Sequence, residues 1–141
     1  MSSNSEETTK KLAIVVSEGT FDKALMSMML ANTGASLGME VHVFFTFFGL
    51  NLLKKDANPK LSGMYRLFTG VFKKRMKKIG VEDFKAQREM AIDLGANLYA
   101  CSTTMNLMGL GIEQMVDGIK VLGAAAFLDI AADSGIQLFI G

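Results

Sequence analysis

A chain of 141 residues, half of them hydrophobic, has room for one domain with a packed core and is too apolar to be intrinsically disordered. Fifteen Lys and Arg against fourteen Asp and Glu leave a net charge of +1, which argues against a nucleic-acid binder, because such proteins show their phosphate-neutralising excess in that sum. One cysteine, Cys101, and one histidine, His42, exclude an internal disulfide, a C-x-x-C redox pair and a zinc knuckle, and leave little for His-based metal sites or Ser-His-Asp chemistry. No metal or cofactor is expected, and any covalent chemistry must centre on Cys101.

Residues 1–10 are polar and charged, the opposite of a secretory signal, and read as a flexible tail ahead of a single domain at 11–141. A free thiol without such a signal points to the reducing cytoplasm. Leu12-Ala13-Ile14-Val15-Val16 is continuous and apolar, as for a parallel strand covered on both faces. Ser17-Glu18-Gly19-Thr20 is a tight turn with Thr20 placed to cap the next helix, whose apolar face is Phe21, Ala24, Leu25, Met28 and Met29. Gly34 and Gly38 weaken or end that helix. Val41 to Phe47 reads as the second strand, and the apolar run from Val43 to Leu53, too short to cross a bilayer as a helix, reads as this strand entering a loop.

Residues 51–80 form a basic amphipathic insertion. Pro59 and Gly63 mark a loop, after which Met64, Leu67, Phe68, Val71, Phe72, Met76 and Ile79 make an apolar stripe opposite Arg66, Lys73, Lys74, Arg75, Lys77 and Lys78. Between Lys54 and Glu89, eleven basic and four acidic residues leave +7, against −6 in the rest of the chain. The common explanation of such a stripe is a solvated basic face with its apolar side buried in the core or a subunit interface. The alternative is a surface that touches anionic lipid or an acidic partner.

A helix is expected from Glu82 or Asp83 to Leu94, then a short strand Asn97–Cys101, short helical pieces at Met105–Met108 and Ile112–Val116, and a strand Ile119–Leu122. A small-residue helix at Ala124–Asp133 and a last strand Ile136–Ile140 complete the pattern. Strand–helix alternation throughout predicts a three-layer α/β/α domain on a mostly parallel sheet of about five strands.

Ligands of parallel sheets bind beyond the carboxyl ends of the strands. Two segments there carry chemistry: Glu18-Gly19-Thr20, and Cys101 followed by Ser102, Thr103 and Thr104, which can cap the following helix. Free N–H groups at a helix start favour a thiolate. Free cysteines also commonly pack as small hydrophobes, and that reading stands beside the reactive one. Gly109-Leu110-Gly111 lacks the third glycine of a dinucleotide fingerprint. Cys101, Met105 and Met108 have a spacing open to soft metals, but methionines filling core gaps explain them more simply. His42, inside a strand, is structural or an interface residue by default.

The stretch Ala100 to Gly109, with Val116-Asp117-Gly118, Gly123 to Phe127 and Phe44 to Gly49, resembles the DsrE/DsrF-like family, and within it the branch often labelled peroxiredoxin-like. The resemblance covers Leu12 to Gly141 and implies a doubly wound fold, a homo-oligomer and a role in cytoplasmic sulfur transfer. It implies that Cys101 carries sulfane sulfur as a persulfide, exchanged with donor and acceptor proteins such as rhodanese-like or TusA-like carriers. Ser102, Thr103 and Thr104 would then stabilise the terminal sulfur, Glu18, Gly19 and Thr20 would form the opposite wall, and Lys120 is a candidate source of positive charge. A thiol peroxidase does not fit: Pro59 is remote from Cys101 and no second cysteine can resolve a sulfenic acid. The rival is a non-catalytic oligomeric module that docks through the basic segment.

Overall fold

The computed structural model describes residues 10–141, so the tail expected at 1–10 lies outside the described residues up to Thr9. Five strands, β1 (Lys11–Val16), β2 (Glu40–Phe45), β3 (Asn97–Cys101), β4 (Lys120–Leu122) and β5 (Ile136–Ile140), form one sheet in the order β4-β3-β2-β1-β5. Every pairing is parallel. Five helices connect them: α1 (Phe21–Ser36), α2 (Thr69–Lys78), α3 (Phe84–Asp93), α4 (Ser102–Met108) and α5 (Ala124–Ala132). The expected α/β/α architecture on a parallel sheet is the observed one.

The period of two along the strands sorts side chains to two faces. Leu12, Ile14 and Val16 of β1, Val41, Val43 and Phe45 of β2, and Leu98 and Ala100 of β3 pack with Ala24, Met28 and Ala31 of α1 and Phe84 and Ala91 of α3. Ala13, Phe44, Tyr99 and Cys101 face the other way, against Phe127 of α5. Both faces are covered, so the strands read as unbroken apolar runs. On the second face His42 is buried, with Nδ1 2.7 Å from the Tyr99 hydroxyl and Nε2 2.8 Å from Glu40 Oε1. Both ring nitrogens are satisfied, which is the structural role expected of this histidine.

Three boundaries depart most from the sequence pattern. α1 continues through Gly34, because a Cβ there would come 2.8 Å from Leu12 Cδ2; the missing side chain lets helix and sheet approach. The turn itself is made at Gly38, whose φ of +84° suits glycine. The second strand stops at Phe45, and the run after it is a 3₁₀ helix, Phe47–Leu53, that buries Leu50, Leu52 and Leu53 under the first face.

The third difference is the insertion. Instead of one amphipathic helix over 64–79, a 3₁₀ turn at Gly63–Phe68 precedes α2, and α2 buries only Thr69. The apolar stripe is therefore not in the core: Met64, Leu67, Phe68, Val71, Phe72 and Ile79 are all exposed. The core beneath is already filled by α1, α3 and the 3₁₀ turn. Arg88 of α3 is the buried anchor of this region, donating from Nη1 to the carbonyls of Leu52 at 2.7 Å and Lys54 at 2.9 Å, with its guanidinium over the Phe84 ring. Among the described residues no helix is long and apolar enough to cross a membrane.

Candidate functional site

Cys101 ends β3 and is itself the cap residue of α4 (φ −66°, ψ 119°). Ser102, Thr103 and Thr104 are thus the first helical residues rather than caps, and no side chain caps this helix. The thiol is 5% exposed, in the cluster with Ala13, Phe44, Tyr99 and Phe127. Burial pushes it up, but the hydroxyl and N–H of Thr104, the hydroxyl of Thr46 and the N–H of Thr103 more than offset this and hold it below the ordinary cysteine value. The surrounding Thr46, Thr103 and Thr104 thus favour the thiolate at a buried site without any histidine or lysine.

Thr104 organises the donors. It is 1% exposed, and its hydroxyl lies 3.1 Å from the Thr46 hydroxyl while accepting the Phe47 N–H at 3.1 Å. Thr46 and Phe47 follow β2, the neighbour of β3, so two adjacent strand ends supply the site. Phe47 has a φ of +47°, a left-handed conformation that is an outlier for a bulky residue. Its N–H bond to Thr104 and the fit of the turns hold it there. A Cβ on Gly19 would come 2.7 Å from the Phe48 carbonyl oxygen, and one on Gly49 would overlap the Val16 carbonyl. These two glycines let the turns after β1 and β2 lock together.

The remaining predicted residues stand apart. Ser102 is half-buried, its hydroxyl near the bare Cα face of Gly123. Glu18, Gly19 and Thr20 follow β1, two strands from β3 with β2 between, or about 10 Å across the sheet. Glu18 faces Lys23 at 3.6 Å, and Gly19 lines a cavity of about 350 Å³ with Asn51, Lys54, Lys60 and Arg66. Thr20 does precede α1, but its hydroxyl is buried without a partner and makes no cap bond, while the N–H of the first helical residue, Phe21, goes to the Lys60 carbonyl. Lys120 turns to Asn97 Oδ1 at 2.7 Å, at the opposite end of β3 from Cys101. Met105 is in the core of the first face and Met108 is partly exposed, so the three sulfurs lie in different environments.

Sequence reasoning missed Thr46. The signal was available: the carboxyl-end rule that singled out the turns after the first and third strands applies equally to the second.

A parallel β4-β3-β2-β1-β5 sheet presenting one polarised thiol at a strand end defines a class of small α/β thiol proteins. The chain belongs to the DsrE/DsrF/DrsH-like family, whose model matches residues 8–65 and 60–139. It is 35% identical to the sulfur carrier protein DsrE2 of Allochromatium vinosum, over 93% of this chain and 98% of the relative. The YrkE protein of Bacillus subtilis is 32% identical over 95% of this chain and 99% of its own. Among solved structures, the ychN protein of E. coli shares the fold with a TM-score of 0.64 at 10% identity, covering 94% of this chain and 99% of its own.

Proposed function

We propose that the protein is a cytoplasmic sulfur carrier in which Cys101 accepts sulfane sulfur as a persulfide and passes it to a partner protein. The observation that carries this reading is the place of the chain's one thiol, at the end of β3 and the start of α4, beside the paired hydroxyls of Thr46 and Thr104. Membership of the family, and kinship with a protein named as a sulfur carrier, support sulfur relay as the setting.

The chemistry needs little else. The Cys101 thiolate attacks the outer sulfur of a donor persulfide; the Sγ–S bond forms as the donor's S–S bond breaks, and the donor leaves as a thiolate that takes up a proton. The exchange is redox-neutral, so no electron acceptor or second cysteine enters. Delivery is the same step with an acceptor thiolate attacking the outer sulfur and Cys101 leaving. The free N–H groups at the start of α4 and one hydroxyl of the Thr46–Thr104 pair stabilise Cys101 as the leaving thiolate. Ser102, next to the thiol in sequence, serves the terminal sulfur, while Glu18, Gly19 and Thr20 stand apart and take no step. Donor and acceptor are other relay proteins, of the rhodanese-like or TusA-like kind. Because the thiol is nearly buried, transfer requires the Thr46–Phe47 turn to move aside when a partner docks, and the strained Phe47 backbone lowers the cost of that motion. Self-association belongs to the same reading, through the exposed Leu128 and Phe139 of the α5 side.

Intact-mass measurement after exposure to polysulfide, thiosulfate or tetrathionate tests the proposal. The native protein should gain a reductant-labile sulfur adduct that Cys101→Ser lacks. If no adduct forms and an alkylating reagent reaches Cys101 only after unfolding, the carrier reading fails and a non-catalytic binding module replaces it.

A further inference from the structure

The stretch from Gly63 to Lys78 leaves two kinds of side chain in water. Met64, Leu67, Phe68, Val71 and Phe72 are each more than half exposed, Leu67 at 86%, although each would gain by leaving water. Phe68, Val71 and Phe72 recur at i, i+3 and i+4 and share one side of the helix, while Lys74, Lys77 and Lys78 recur in the same way on another. Arg75 falls within the apolar side, where its long stem can carry the charge outward.

The body of the protein holds this segment by few points. The Thr69 hydroxyl accepts the Leu61 N–H and donates to the Arg66 carbonyl, and Lys73 Nζ lies 3.0 Å from Asn58 Oδ1. Between α2 and the start of α3 lies a cavity of about 700 Å³, lined among others by Met76, Val81 and Phe84. Nothing within the described residues covers the outward apolar side.

We infer that this segment docks on an anionic membrane surface, with α2 lying flat, Phe68, Val71 and Phe72 at the acyl boundary and Lys74, Lys77 and Lys78 among the headgroups. The charge argues for this occupant. The stretch from Lys54 to Glu89 carries +7, so a self-complementary contact with a second copy would set two such segments against each other. Bulky apolar side chains and lysines alternate along one convex helix rather than lining a groove, and a lipid layer accepts that shape without a matching partner surface. Each basic residue near an anionic leaflet adds attraction that falls off within a Debye length. The inference is independent of any role for Cys101.

Sedimentation of the full chain with vesicles tests it, using phosphatidylcholine alone or with about 30% phosphatidylserine as the anionic lipid. Binding is expected to the anionic vesicles only, weakening at least about tenfold when salt rises from about 0.05 M to about 0.5 M. Lys74→Glu with Lys78→Glu should weaken it by about tenfold or more, and Phe72→Ser should weaken it even at low salt. Leu37→Ser, at a residue more exposed than Phe72 but at the far end of α1 from Phe21, over which Lys73 lies, should leave binding unchanged. The variants lie on the surface, and circular dichroism checks that each is folded. No binding to anionic vesicles at low salt overturns the inference. So does binding that Phe72→Ser leaves intact, which is charge adsorption alone, or an oligomer that the Lys74→Glu and Lys78→Glu pair dissociates, which makes this face a contact between copies.

Discussion

The edge of the sheet around Cys101 and the helix α2 are both rich in side chains that could bind something, yet the fold treats them oppositely. Around Cys101 the polar groups are matched within the molecule: the Thr104 hydroxyl serves Thr46, Phe47 and the thiol at once, at 1% exposure. On α2 the apolar groups are matched by nothing, and Phe72 stands 54% exposed. The first region has its energy invested in one geometry and must be opened to act. The second has almost none invested and is available as it stands. Folding stability and readiness to bind are therefore distributed to different parts of this chain.

Substitutions can break that contrast at its strongest point first. Arg88→Ala removes the side chain that satisfies the Leu52 and Lys54 carbonyls, leaving two acceptors in a buried site, and should lower the unfolding free energy by about 3–4 kcal/mol in a denaturant titration. Arg88→Lys should recover only part of this, since a point charge does not reproduce the planar fork over Phe84.

Thr104→Val comes next, at about 1–2 kcal/mol, with a distinct chemical signature. Loss of its hydroxyl removes a donor that keeps the Cys101 pKa low, so alkylation of the folded variant should shift to higher pH than in the native protein. The sign follows from linkage. A thiol whose folded pKa lies below its unfolded value, near ~8.5, contributes stability that is complete above the unfolded value and is lost as pH falls through the folded one. The stability of the native protein relative to Cys101→Ser should accordingly rise with pH between those two values and level off above them, and Thr104→Val should narrow that window.

Phe72→Ala sits at the far end of the comparison. Removal of a buried phenylalanine typically costs about 3–5 kcal/mol, but here the change should stay within about 0.5 kcal/mol by the same titration. A large loss would mean that α2 packs against something in solution even without lipid.

The legible and illegible parts of this chain divide along similar lines. β3 and β5 were readable to the residue, because each follows a helix and a glycine turn in the alternation of a parallel sheet. The place of Cys101 at the end of β3, with Ser102, Thr103 and Thr104 following it, was readable from the strand pattern. Features that depend on two distant backbones meeting were not. The 3₁₀ turn after β2 has the same apolar composition as a strand, so its pattern did not announce it. Arg88 entered only the charge count over 54–89, and its burial follows from carbonyls that the 3₁₀ turn frees thirty-odd residues away. Thr20 has the right residue type for a cap, but its hydroxyl is buried without any partner and makes no bond to the helix start. The exposed stripe was visible as a stripe; that it lies outside the core became visible only when the core proved full.

The order of the strands has a consequence for how the protein comes into being. β1, the central partner of both β2 and β5, gains its second neighbour from residues 136–140, and Lys11 is tied to Asp133 across 122 positions of sequence. On the ribosome, Leu12, Ile14 and Val16 must wait with one open edge until nearly the whole chain has been translated. Pairings of such long separation close slowly, and an unpaired apolar edge is a template for aggregation in the meantime. Nascent chains stalled before β5 are therefore expected to depend on chaperones, whereas chains carrying β5 complete the sheet and escape them.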